Sequence, residues 1–251
     1  MKFGLCAPVE SIRRVKALGF DYIEVNATRI GRMSSAEFET AAAMAKEASL
    51  PVSAANCLFP GEMNLYASPD RVAAWLQLVM PRLRRLGVDT VVFGSGGARR
   101  RPSSLPYPVA FRSLARSVRL MGDTAMANGL TVVIEPLNTG ETDMINCLAE
   151  GSALAAMADH PNVRLLADAY HLAMEDENPM EMGRVGGVCH VHVALREGRR
   201  WPVRADEELK AFFAGLKSAG YDGRVSVEGA SDAWEQDAPA ALEVLRSMAS
   251  A

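Results

Sequence analysis

Apolar positions along this chain follow two alternating rhythms. Short runs rich in Val, Ile and aromatic residues predict buried strands over Phe3–Ala7, Tyr22–Asn26, Val52–Cys57, Thr90–Gly94, Thr131–Leu137, Val163–Asp168, Val188–Ala194 and Arg224–Glu228. Between them, spacing of three to four predicts helices over Val9–Leu18, Ser35–Ala48, Asp70–Leu86, Val109–Ala127, Asn146–Met157, Glu207–Ala219 and Pro239–Met248, with at most a short one over Asn178–Val185. Punctuation agrees. Gly19, Gly87, Asn128-Gly129 and Gly220 stand where helices should stop. Ser34 or Ser35, with Glu37 in the first turn, can cap the second helix, and Pro81 should kink or divide the third. Alternating strand and helix means a parallel sheet, and eight such units predict an α/β fold closed as a (β/α)8 TIM barrel, a single domain over 1–251. An open doubly wound sheet is the fallback.

The last four predicted strands share an irregularity. Each delivers an acid or imidazole at or near its C-terminal end: Glu135, Asp168, His192 and Glu228. A carboxylate on a buried strand is costly unless paired or bound to metal. In a barrel these ends form the catalytic face, and strands five to eight are neighbours around the ring. Three carboxylates so close would raise one another's pKa unless a cation joined them. Carboxylates with one imidazole suit Mn, first, or Mg, Co or Zn. His190 lies two before His192 and points to the same side, as a core or supporting residue. His171 follows Asp168 on a loop, near the expected metal. His160 precedes Pro161 on the opposite face and reads as structural. Asn138 and Glu141 share the loop after Glu135 and can touch a polyhydroxylated ligand. Glu24, inside the second strand, either pairs with an Arg or Lys or meets substrate. Of the loop arginines, Arg99, Arg100 and Arg101 are expected mainly at a solvated rim. Anion binding is the sharper alternative for that run. Arg196, Arg199 and Arg200 crowd the loop after strand seven.

Composition narrows the setting. Net charge is −3 over 251 residues, which gives no nucleic-acid footprint. The four cysteines are scattered without CxxC spacing, as reduced thiols in a cytoplasmic protein would be. No leader pattern and no apolar run of membrane-spanning length is evident, so no membrane partner is expected. GSGG at Gly94–Gly97 is too short and misplaced for a dinucleotide site.

EPLNTGE at Glu135–Glu141, DAYH at Asp168–His171, HVHVA at His190–Ala194 and GYDGRVSVEG at Gly220–Gly229 resemble, in order and spacing, the xylose isomerase-like TIM-barrel superfamily. Its members include ketose 3-epimerases, hydroxypyruvate isomerases, inosose dehydratases and endonuclease IV. The resemblance covers essentially the whole chain. It implies that Glu135, Asp168, His192 and Glu228 bind one divalent metal, with Glu135 and Glu228 also the acid/base pair. It further implies that His171 and Arg199 contact substrate and that Glu141 is a second acid of the motif. Two positions depart from the pattern: Leu195 stands where an Asp is common, and PVRAD at Pro202–Asp206 replaces a Pro-Gly-x-Gly turn.

The expected function is a metal-dependent isomerase or epimerase of a ketose or small hydroxy-ketone, working through an enediolate. The alternative is a lyase of the inosose or dehydroshikimate dehydratase type on the same site. A repair endonuclease would need many more histidines than the four present. A sugar-binding barrel without turnover is the non-enzymatic rival. The partner is a small sugar-like substrate, and assembly into a homo-oligomer is left open.

Overall fold

The fold is taken from a computed structural model that describes residues 1–250. The strands are β1 (Lys2–Cys6), β2 (Tyr22–Asn26), β3 (Val52–Asn56), β4 (Thr90–Phe93), β5 (Thr131–Ile134), β6 (Val163–Asp168), β7 (Val188–Val193) and β8 (Arg224–Val227). Each pairs in parallel with its predecessor, and β8 pairs with β1 from Lys2↔Arg224 to Leu5↔Val227, closing a barrel. Helices wrap the outside, where the main apolar core lies between them and the strands. This is the expected (β/α)8 TIM barrel.

Two kinds of residue fill the interior. Val92, Val133 and Leu166 form a small apolar cluster of their own. Beside them the filling turns polar: Leu166 is in register with His190, and Asp168 with His192. Tyr22 is also buried inside, its hydroxyl 2.7 Å from Ser226 Oγ. It fits because residue 4 is glycine; a Cβ there would lie 2.2 Å from the Tyr22 ring.

Local signals explain most helix limits. Ser34 and Glu37 form the anticipated capping box on the Ser35–Ala48 helix. Gly87, at φ 99°, ends Pro69–Leu86. That helix runs through Pro81 undivided. Pro239 lies inside Trp234–Ser250 instead of opening it. Three short helices were not expected, Ala27–Arg32, Gly96–Arg99 and Ala169–Met174. They are too short for an apolar period to be visible. All three follow strand C-termini and so line the mouth of the barrel. Among the described residues, no helix is long and apolar enough to cross a membrane.

Candidate metal centre and substrate face

β5 stops at Ile134 because Pro136 has no N–H to continue it, leaving Glu135 at the mouth. Its side chain turns into the space beside β4, where residue 94 must be glycine: a Cβ would come within 1.9 Å of Glu135 Oε2. Asp168 ends β6, His192 is the penultimate residue of β7, and Glu228 follows β8 directly. These four converge. One donor atom from each of Glu135, Asp168, His192 and Glu228 lies within 4.8 Å of the others. His192 Nδ1 is 3.0 Å from Glu135 Oε1 and 3.2 Å from Glu228 Oε2.

The far side of the His192 ring decides what its Nδ1 needs. Nε2 is 3.0 Å from Glu24 Oε1, buried and acceptor-only when ionised, so Nε2 carries a proton. A neutral ring would then aim an Nδ1 lone pair at two carboxylates. That is repulsive unless a cation, proton or metal, lies between. Burial alone lowers the His192 pKa, but Glu24, Glu228 and Glu135 outweigh it and hold it well above the ordinary value. Burial and the neighbouring Glu228 raise the Glu135 pKa, while burial raises that of Asp168 against Arg199 and His192. Glu228 is opposed by burial too, yet His192 and Arg199 pull it down to about 2. Three carboxylates and one imidazole nitrogen around a shared point fit a hard or borderline divalent ion.

Glu24 forms the layer beneath. Its other oxygen accepts from Ser226 at 2.6 Å and lies 2.8 Å from His190 Nε2. Of the two alternatives for Glu24, an Arg or Lys partner is overturned: Glu24 pairs with the two histidines.

Asn138, Glu141, His171 and Arg199 form one connected set. The Asn138 backbone N–H donates to His171 Nδ1 at 3.1 Å, which leaves the ring proton on Nε2. That Nε2 is 3.7 Å from Asp168 Oδ2, and burial lowers the His171 pKa, keeping the ring neutral. Asn138 Nδ2 reaches Glu141 Oε1 at 3.4 Å. Arg199 joins the rest, donating to Glu228 at 2.6 Å, Glu141 at 3.2 Å and Asp168 at 3.4 Å. Its guanidinium stacks 4.7 Å over Tyr170. Its backbone is held in the left-handed region (φ 50°), and its carbonyl accepts from Ala230 N–H at 2.9 Å. Gly229 makes that latch feasible, since a Cβ there would lie 2.6 Å from the Arg199 carbonyl oxygen.

Other arginines fall elsewhere. Arg196 pairs with Asp176 and Glu208, and Arg200 with Asp232, on the surface. Arg99 overturns its expected rim position. It is fully buried and donates to the carbonyls of Phe93, Glu135 and Ile145. The Gly96–Arg99 turn, invisible as a period, swings it inward. Burial lowers its pKa to about 10. Arg100 is exposed and Arg101 half-buried, bonded to the Glu141 carbonyl and to Asp143 respectively. His160 sits against Asp123 at 3.3 Å, away from the mouth. Asn56 was missed: at the end of β3, its Nδ2 donates to Glu228 Oε1 at 2.6 Å. A neutral amide closing a strand gives no signal in the sequence, because it carries no charge to bury.

Residues 12–248 match the family described as xylose isomerase-like TIM barrel. The chain is 26% identical over 230 residues to the 3-dehydro-D-guloside 4-epimerase of Escherichia coli (strain K12), covering 88% of this chain and 86% of that protein. It is 28% identical over 230 residues to the D-psicose 3-epimerase of Agrobacterium fabrum, covering 86% and 77% respectively. A crystal structure of D-psicose 3-epimerase in the presence of D-fructose aligns with a TM-score of 0.87 at 22% identity, over 100% of both chains. At that identity the structural likeness concerns the fold alone.

Proposed function

The chain belongs to the xylose isomerase-like TIM-barrel family, and from that premise we propose that it is a divalent-metal-dependent epimerase or isomerase of a ketose or related hydroxy-ketone. The carrying observation is the convergence of Glu135, Asp168, His192 and Glu228, with His192 oriented from behind by Glu24. These four would hold the metal, Mn by preference, which when bound supplies Lewis-acid polarisation of the substrate carbonyl. Glu135 and Glu228 come from opposite edges of a four-strand arc, β5 to β8, and approach a substrate from different sides. One removes the proton from the carbon beside the carbonyl. The other returns a proton to the opposite face, or to the neighbouring carbon, so protons balance over the cycle. His171 Nε2–H and Arg199 donate to substrate oxygens, and Asn138 and Glu141 keep both in place. Sugar epimerases among the relatives support this reading.

The test is proton–deuterium exchange in D2O over a panel of ketoses and hydroxypyruvate. Mn-loaded protein should catalyse exchange, chelation should stop it, and Mn should restore it. No exchange into any compound, with no metal retained after Mn loading, would sink the proposal.

A narrower prediction concerns Glu24. In Glu24→Gln one accepting oxygen remains where two served, so His192, His190 and Ser226 compete for it and the His192 tautomer is held less firmly. Mn affinity, measured by titration, should fall about 10–100-fold, as for other residues that orient metal-bound imidazoles. Unchanged affinity would remove Glu24 from that role.

A further inference from the structure

The substrate-face residues named above crowd the β5 to β8 side of the mouth. On the β1 to β3 side lies a cavity of about 860 Å³. It is continuous with the centre. Asn56, which donates to Glu228, and Cys6, whose sulfur lies within 4.8 Å of donor atoms of His192 and Glu228, both form its inner wall. Its outer wall is one face of the Ser35–Ala48 helix, carrying Glu37, Thr40, Ala41 and Met44 at positions i, i+3, i+4 and i+7. Met33 adds a second thioether.

Size and charge restrict what fits. Small-molecule sites span roughly 300–1,000 Å³, and this cavity stands near the top of that range before the space between Glu135 and Glu228 is counted. The carbons that react need only that inner space. The two arginines on the cavity wall are already committed, Arg29 to Glu10 at 2.7 Å and Arg32 to Glu62. A phosphate or carboxylate placed there would have to compete with Glu10 and Glu62 for those guanidinium groups. A neutral ring bearing hydroxyls meets better partners. Met33, Met44 and Ala41 offer adaptable apolar area for its C–H face. Glu10, Glu37 and the Thr40 oxygen can accept from its hydroxyls.

We propose that this cavity is a subsite for a second, neutral sugar unit, and that the substrate is therefore a disaccharide-sized hydroxy-ketone. This rests on the epimerase or isomerase reading. One unit presents its carbonyl and adjoining carbinol carbon to Glu135 and Glu228. The other lies against Met33 and Met44. The link between the units stays intact, because only the C–H proton moves.

The experiment compares kcat/KM for deuterium exchange with Mn-loaded protein on four compounds: fructose, 6-O-glucosyl-fructose, a disaccharide oxidised to the ketone in one ring, and fructose 6-phosphate. At least one two-unit compound should exceed fructose by tenfold or more, and the phosphate should bring no gain. Met44→Trp, which fills the cavity, should return the two-unit to fructose ratio to near one. Thr40→Trp brings the same bulk from an exposed position and serves if the first variant does not fold. Two-unit compounds no better than fructose, a ratio unmoved by both variants, or preference for the phosphate would each overturn the proposal. If nothing exchanges, the activity reading fails by itself. Calorimetry with unreactive 6-O-glucosyl-sorbitol then decides the cavity: binding that Met44→Trp or Thr40→Trp abolishes supports the subsite, and absence of binding to the unaltered protein overturns it.

Discussion

Glu228→Gln, assayed at saturating Mn, is expected to lose at least about 10³-fold in turnover while keeping its fold, in line with the ~10²–10⁴-fold that a positioned general base supplies. The amide cannot take a proton. It also cannot satisfy its surroundings: Arg199 and Asn56 both donate to this carboxylate at 2.6 Å, so one donor would face an N–H2 group. Stability should fall, because His192 and Arg199 hold the Glu228 pKa down and the folded state gains from its charge, with relief of repulsion from the other carboxylates offsetting part of the loss. Glu228→Asp separates the two contributions, since it keeps the base but withdraws it from the substrate. Its activity should fall between the two. Turnover of the Gln variant within tenfold of the unaltered protein would take Glu228 out of proton transfer.

The reason Glu228 was visible in the sequence also explains what was not. An acid closing a β-branched run violates the cost of burying charge, and that violation can be read without a structure. Glu135, Asp168 and His192 stood out on the same ground, and the barrel itself followed from alternation of strand and helix. Partnerships across the barrel were hidden. Glu24 and His192 are 168 residues apart, and nothing local to either shows that they meet. One of the two alternatives for Glu24 rested on the commonest partner of a carboxylate, whereas the geometry supplies two histidines. Asn56 was hidden for a different reason, because a neutral amide at a strand end violates nothing. The cavity beside β1 to β3 depends on Ala27–Arg32, a helix of six residues without readable periodicity.

Arg99 is the sharpest case, and it carries the second large effect. A run of three arginines after a strand resembles a solvated rim, and replacing it should then cost under about 1 kcal/mol. The structure divides the run. Arg100 is exposed and should keep that small cost, but Arg99 is sealed in. Its guanidinium ties the end of β4 through the Phe93 carbonyl to Glu135 and to Ile145, which itself has a left-handed backbone (φ 61°). Arg99→Ala would take the guanidinium donor from the Glu135 carbonyl and a second donor from those of Phe93 and Ile145, which keep the N–H groups of Glu135 and Leu137, and it would leave a void. An unpaired buried acceptor costs ~1–3 kcal/mol, the void left by so large a side chain adds a similar amount, and relief from burying the charge offsets part of the sum. A net loss of about 3 kcal/mol is expected, or about 6–12 °C in Tm for a chain of this size. Arg99→Lys should recover little, because a point ammonium cannot span three acceptors as the planar fork does. Both variants should also lose exchange activity, since the Glu135 main chain is one of the anchored groups. Thermal melts of Arg99→Ala, Arg99→Lys and Arg100→Ala read the contrast directly. An Arg99→Ala midpoint within about 2 °C of the unaltered protein, less than 1 kcal/mol by the same scaling, would mean that the clamp contributes nothing to stability and that the backbone at Glu135 is held by β5 and Pro136 alone.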